Sequence, residues 1–180
     1  MLGLITSSLH KSLDTEGSKM NFDKRKAEDD FDEFIFIMDD QLEWLEAEAE
    51  RRGIHLTRNT MCFPMLESLF DLMSEGQSKD MVSRLIITFA RYLGEAVRCT
   101  YGGKWTLPLD DPKNVNFNTP VITGHCSTEG LEFSPILVMR AYSIRHIKGL
   151  LKRAVDADIN PSPLDLSDLI KKDSTQGRAN

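Results

Sequence analysis

The chain has 180 residues, 41% of them hydrophobic and 28% charged, with a formal net charge of −6. That length favours one domain with a core large enough to need no staples, and the acidic balance argues against a nucleic-acid partner, which calls for a basic footprint. Three widely spaced cysteines, Cys62, Cys99 and Cys126, with no Cys-x-x-Cys pair, argue against a disulfide framework and for a reducing compartment.

Met1 to Leu9 carries neither a basic leader nor a continuous apolar core, so it does not read as a signal peptide. No run approaches the roughly 18 consecutive apolar residues of a membrane span. The expectation is a cytoplasmic protein without membrane association. Residues 1–22 read as a flexible arm, 23–172 as a single α+β domain, and 173–180 as a disordered tail.

The first element is a helix over about 24–52, from the spacing of Phe31, Phe34, Ile35, Met38, Leu42, Leu45 and Ala49. Gly53 follows as a stop. Phe36, Ile37 and Trp44 lie off the main stripe, so this helix is expected to meet neighbours on more than one side. A second helix is expected from Thr60 to Met73, burying Met65, Leu66, Leu69, Phe70 and Met73, with Pro64 in its first turn. Ser78 reads as the N-cap of a third, striped by Val82, Leu85, Ile86, Phe89, Leu93, Ala96, Val97 and Thr100 and ended by Gly102-Gly103.

Beyond Gly103 the pattern changes to short strands at Trp105–Leu107, Pro120–Thr123 and Leu131–Phe133, with turn residues at 110–114. They predict one small antiparallel sheet. Ser134-Pro135 opens a helix that continues to about Val155, with Ser143 and Ile147 on its stripe and Gly149 inside it. A short acidic helix is expected at 164–171. The architecture is therefore α+β: a helical N-terminal half, about three strands, and a long C-terminal helix.

No local motif marks catalysis or a cofactor. Gly103-Lys104 is followed by Trp105, and Arg98 stands where a phosphate loop needs its first glycine. His125 and Cys126 are adjacent and would point to opposite faces of a strand, and His10, His55 and His146 have no paired spacing, so no metal ligand set is expected. Arg84, Arg91, Glu95 and Arg98 fall on one face of the third helix and read as a solvated row of ion pairs. A non-local enzyme site around Glu95, Arg98, His125 and Cys126 is the alternative reading.

The largest electrostatic feature is the first helix. Residues 28–50 hold acids throughout and no Lys or Arg, and pairs such as Asp39 with Glu43 and Glu46 with Glu50 repel at helical spacing. One internal partner is the basic set Arg140, Arg145, Lys148, Lys152 and Arg153. The alternative is a basic surface on another protein, docked by Asp39, Asp40, Glu43, Glu46 and Glu50. The 108–119 loop, with Phe117, is a second candidate interface, and self-association through Phe36, Ile37 and Trp44 a third.

Tyr92-Leu-Gly-Glu-Ala-Val-Arg-Cys-Thr-Tyr-Gly-Gly-Lys-Trp105 resembles a pattern in small bacterial proteins, in which a helix ending in LGE…R…GG.W feeds a strand. Ser134 to Tyr142, opening a helix after a short sheet, extends the likeness, which covers about 80–155. Proteins of this plan include immunity proteins of bacterial toxin systems, among them those of type VI secretion. The resemblance implies a binding protein that neutralises a cognate toxin; separately, no cofactor and no catalytic residue is expected from the sequence.

Overall fold

The computed structural model describes residues 22–160. Six α-helices and a three-stranded sheet lie within that span: α1 (Lys24–Phe36), α2 (Met38–Glu50), α3 (Phe63–Ser74), α4 (Lys79–Tyr101), β1 (Lys104–Thr106), β2 (Val121–Thr123), β3 (Glu132–Phe133), α5 (Pro135–Arg145) and α6 (Leu150–Ile159). The expected α+β plan holds. The arm before Phe22, the acidic helix at 164–171 and the tail at 173–180 lie outside the described residues.

Helix α4 is the axis of the fold. Ser78 accepts Met81 N–H at 3.3 Å as its N-cap, and Gly102 closes the other end with N–H bonded to the Arg98 carbonyl at 2.9 Å. Its stripe packs against α2, α3, α5 and β2. Phe89, Leu93, Ala96 and Val97 are fully buried, whereas Thr100, expected inside, is exposed. Phe70 of α3 meets Phe89 of α4 and Tyr142 of α5 edge-on, at 5.1 and 5.9 Å between ring centroids.

The strands pair antiparallel in the order β1-β2-β3, with Trp105 opposite Ile122 and Ile122 opposite Phe133. The 108–119 loop is pinned to this sheet: Glu132 accepts from Asn114 Nδ2 (3.0 and 3.1 Å) and Asn116 Nδ2 (3.0 Å), and the Phe117 ring meets that of Phe22 at a tilt, 4.8 Å between centroids.

Two expected helices are each two. The 24–52 helix breaks at Ile37, whose φ of −87° and ψ of 6° leave the helical range. The break has a tertiary cause: the Arg91 guanidinium lies 4.2 Å over the Phe34 ring, and its Nε donates to the Phe34 carbonyl at 3.3 Å, satisfying an acceptor in the last turn of α1.

The 135–155 helix breaks after Arg145, where His146 takes a left-handed φ of 48°. Gly149, expected inside the helix, instead precedes α6 with φ of 76°, a conformation that suits glycine. The fully buried Glu67 carboxylate accepts Gly149 N–H at 2.7 Å and Leu151 N–H at 3.0 Å. A carboxylate from α3 thus caps α6 and complements its N-terminal dipole. Ile147, expected on the buried stripe, is left half-exposed by this turn, and Met65 of α3 is also exposed. The Thr60–Met73 helix begins as a single 3-10 turn, Thr60–Cys62, capped by Asn59.

Candidate protein-docking surface

The α1–α2 break creates the most exposed aromatic group in the described chain. Phe36, the last residue of α1, is 87% exposed. Helical spacing places Asp29, Asp32 and Glu33 on its own face of α1, and Asp39, Asp40 and Glu43 follow in the first turns of α2. All six acids are exposed, and none forms an ion pair among the described residues. Ile35 and Trp44 are also solvent-accessible beside them. The buried side of α2, made by Met38, Leu42, Leu45 and Ala49, anchors this ridge to α4.

Not every acid of the expected set is available. Glu46 accepts Arg58 Nε at 2.7 Å and Nη2 at 3.1 Å, together with Tyr92 O–H at 3.2 Å. The Arg58 hydrogen bond holds its carboxyl below the ordinary glutamate range, although partial burial opposes this. Glu46 is thus a tie between α2, the 51–59 turn and α4. Glu50 pairs with His55 at 2.8 Å, and Glu48 takes Arg51 and Arg52. The open face reduces to Asp39, Asp40 and Glu43 of the expected five, extended onto α1.

The internal compensation considered for the acidic helix is absent among the described residues. No ion pair joins α2 to Arg140, Arg145, Lys148, Lys152 or Arg153, and α2 packs chiefly on α4 and α1. Lys148 instead meets Asp71 at 2.6 Å, and Lys152 meets Asp156 at 2.5 Å.

The solvated row expected on α4 is half buried: Arg84 and Arg98 are exposed, and Arg91 and Glu95 are not. Arg91 is 7% exposed and Glu95 8% exposed. Glu95 accepts Arg98 Nε and Nη2 at 2.9 and 2.7 Å and Trp105 Nε1 at 2.7 Å. Burial alone would raise its carboxyl pKa; those donors outweigh burial and hold it below the ordinary value. Both oxygens are occupied, which describes a structural clamp. Of the alternative enzyme set, Glu95 and Arg98 pair with each other, and His125 and Cys126 hydrogen-bond elsewhere. His125 is buried and pairs through Nε2 with Asp158 of α6 at 2.5 Å, while Cys126 donates weakly to the Thr128 carbonyl.

One polar cluster escaped the sequence reading. Asp71 of α3 receives His146 Nδ1 at 2.8 Å, Lys148 Nζ at 2.6 Å and Tyr142 O–H at 3.0 Å, beside an open cavity of about 400 Å³. Burial favours the neutral Asp71 acid, but the Lys148, His146 and Tyr142 bonds prevail and lower its pKa. Tyr142 is pushed up to about 12, first by burial. The four groups tie α3 to the α5–α6 turn. Their separation of 71–77 positions left no local signal.

Among the described residues, no group of three or more His, Cys, Asp or Glu side chains converges as a metal-ligand set, and no helix is long and apolar enough to cross a membrane. Comparison with protein-family models, curated proteins and solved structures returns no match. The acid-rimmed aromatic ridge therefore stands as the candidate site on its own physical features.

Proposed function

We propose that this chain is a protein-binding module that engages a basic partner through the α1–α2 ridge. The observation that carries the reading is Phe36, 87% exposed, with six exposed carboxylates near it in the chain that have no ion-pair partner among the described residues. An exposed aromatic group offers a desolvating anchor, and a rim of one charge steers a complementary partner and sets its orientation. Leaving those like charges together costs helix stability in the free protein, and a basic partner offsets that cost on docking.

In its specific form the module is an immunity protein that binds and neutralises a cognate bacterial toxin, as the likeness over about 80–155 implies. Gly94, Glu95, Arg98 and Trp105, which belong to the pattern that carries the likeness, form a helix-to-strand clamp, and recognition is assigned to α1–α2 instead. The three unpaired cysteines support a reducing, cytoplasmic setting.

The test is affinity capture from source-cell lysate at low and high salt, using wild-type protein and a D39K/D40K/E43K variant. The expected result is a basic protein held by the wild type, released by salt and missed by the folded variant. Identical capture by both proteins would remove the ridge from the interface, and a captured protein without toxin character would remove the immunity form.

A further inference from the structure

A second surface, unpartnered among the described residues, lies on the other end of the chain. Between α5 and α6 runs an open groove of about 450 Å³ with Leu137, Val138, Ala141, Leu150 and Ala154 in its walls. Arg145 and Arg153 also line it. Neither arginine meets a carboxylate among the described residues; Arg153 Nη1 reaches only the Lys148 carbonyl, at 3.2 Å. Ile147 lines the groove and is 47% exposed, and Ile144 nearby is 81% exposed. The groove thus presents apolar walls with guanidinium groups beside them, whereas the α1–α2 ridge presents an aromatic knob rimmed by carboxylates.

The two surfaces match in polarity and oppose in charge, yet among the described residues α1 and α2 make no extensive packing with α5 or α6 within one molecule. We propose that the α5–α6 groove receives the Phe36 ridge of a second copy of this chain, so that free molecules associate head to tail. The proposal rests on the ridge being a docking face, and it names the occupant that covers the ridge when no foreign partner is bound. Phe36 enters the apolar groove, while Asp39, Asp40 and Glu43 approach Arg145 and Arg153. The contact is heterologous: each copy offers a different surface at each end, so association need not stop at two copies. Apolar burial supplies the non-directional attraction, and the charges set the register.

A basic partner that takes the ridge competes with the neighbouring copy. Assembly and partner binding are then mutually exclusive at that face, and the foreign partner breaks the chain of copies.

Sedimentation velocity of the full chain over a range of concentrations, at low and high salt, tests this. Wild-type protein is expected to gain mass with concentration past the dimer and to lose it in high salt. F36E, or F36S if the acidic replacement disturbs the fold, is expected to remain monomeric, as is R145E/R153E. Each single defect is expected to weaken self-association by about tenfold or more. The deciding sample is an equimolar mixture of F36E and R145E/R153E. One retains the groove and the other the ridge, so the mixture is expected to form a dimer and nothing larger.

A wild-type monomer at every concentration overturns the proposal, whether residues 161–180 or a foreign protein fills the groove. A wild-type assembly that stops at two copies, with no rescue in the mixture, also overturns it and indicates a symmetric contact. R145E/R153E retains the ridge and is expected to capture the basic partner undiminished, which separates the two proposals. Its failure to do so would count against the ridge, while success with a monomeric wild type would count against self-association alone.

Discussion

Trp105 donates its indole N–H to the Glu95 carboxylate at 2.7 Å, across the turn that ends α4 and starts β1. The same indole lies against Gly94, where an added Cβ would clash with its ring and come within 3.0 Å of Pro135 Cγ. Gly94 is therefore kept for close approach, despite the roughly 1 kcal/mol that glycine costs inside a helix. Gly94→Ala is expected to displace Trp105 and destabilise the fold by about 1–3 kcal/mol. Glu95→Gln keeps the shape and loses the charge-assisted bonds, for a loss of about 1–3 kcal/mol. Thermal unfolding of both variants, with Trp fluorescence as the local reporter, checks the pair; wild-type stability in Gly94→Ala would contradict the packing argument.

Acid should weaken this protein through a few identified carboxyls. Glu46, Asp71 and Glu95 are all held below their ordinary values, the first chiefly by the Arg58 hydrogen bond and the others by donors that overcome burial. A carboxyl with a depressed folded-state pKa contributes stability that is fully present above its unfolded value. That contribution is lost as pH falls through the folded value. Stability attributable to these groups should hold from neutral pH down to the ordinary carboxyl range, near 4.5 for glutamate and 3.8 for aspartate, and decline below it. Denaturant midpoints measured against pH should show this fall, and Glu95→Gln with Asp71→Asn should make it shallower. An unchanged slope would assign the acid sensitivity elsewhere.

Glu67 predicts a local effect at a distance. Its replacement by alanine leaves the buried Leu151 amide and the Gly149 amide without their acceptor. Each orphaned amide costs about 1–3 kcal/mol, and the loss should concentrate in α6. Hydrogen exchange of Glu67→Ala should show faster exchange over Leu150–Ile159 than in α4. Uniform protection loss across both helices would favour a global packing defect instead.

The cysteines should react in order of access. Cys99 is exposed, Cys126 half-buried and Cys62 buried, with burial raising the Cys62 thiol pKa. A thiol reagent on native protein should modify Cys99 quickly and Cys62 only on unfolding. Peptide mapping after a short pulse reads this directly, and early labelling of Cys62 would contradict the packing around it.

The helices were legible where one stripe and a local cap coincide, as in α4 with Ser78 and Gly102. The sheet was legible from its turn residues and short β-prone runs. The breaks at Ile37 and His146 were not, because Arg91 secures one and Glu67 supports the other from tens of residues away. The site divides along the same line. Phe36 and the acids near it in the chain were visible as apolar surplus and uncompensated charge, and all of them are exposed. The commitment of Glu46 to Arg58 and Tyr92, and the convergence of Tyr142, His146 and Lys148 on Asp71, depend on tertiary contact alone.

The central claim is that the ridge binds a basic protein, and its most direct test is the affinity of the captured partner for D39K/D40K/E43K and F36E, each measured by titration calorimetry alongside a circular-dichroism check of folding. The three carboxylates and Phe36 are exposed and outside the core, so both variants should fold; F36E should keep wild-type stability within about 0.5 kcal/mol, and D39K/D40K/E43K should lose about 1–2 kcal/mol because Asp39 and Asp40 lie in the first turn of α2. The account predicts folded variants that bind at least about tenfold more weakly, with a smaller salt dependence in the charge-reversed one. Wild-type affinity in both would contradict it and place the partner on another face.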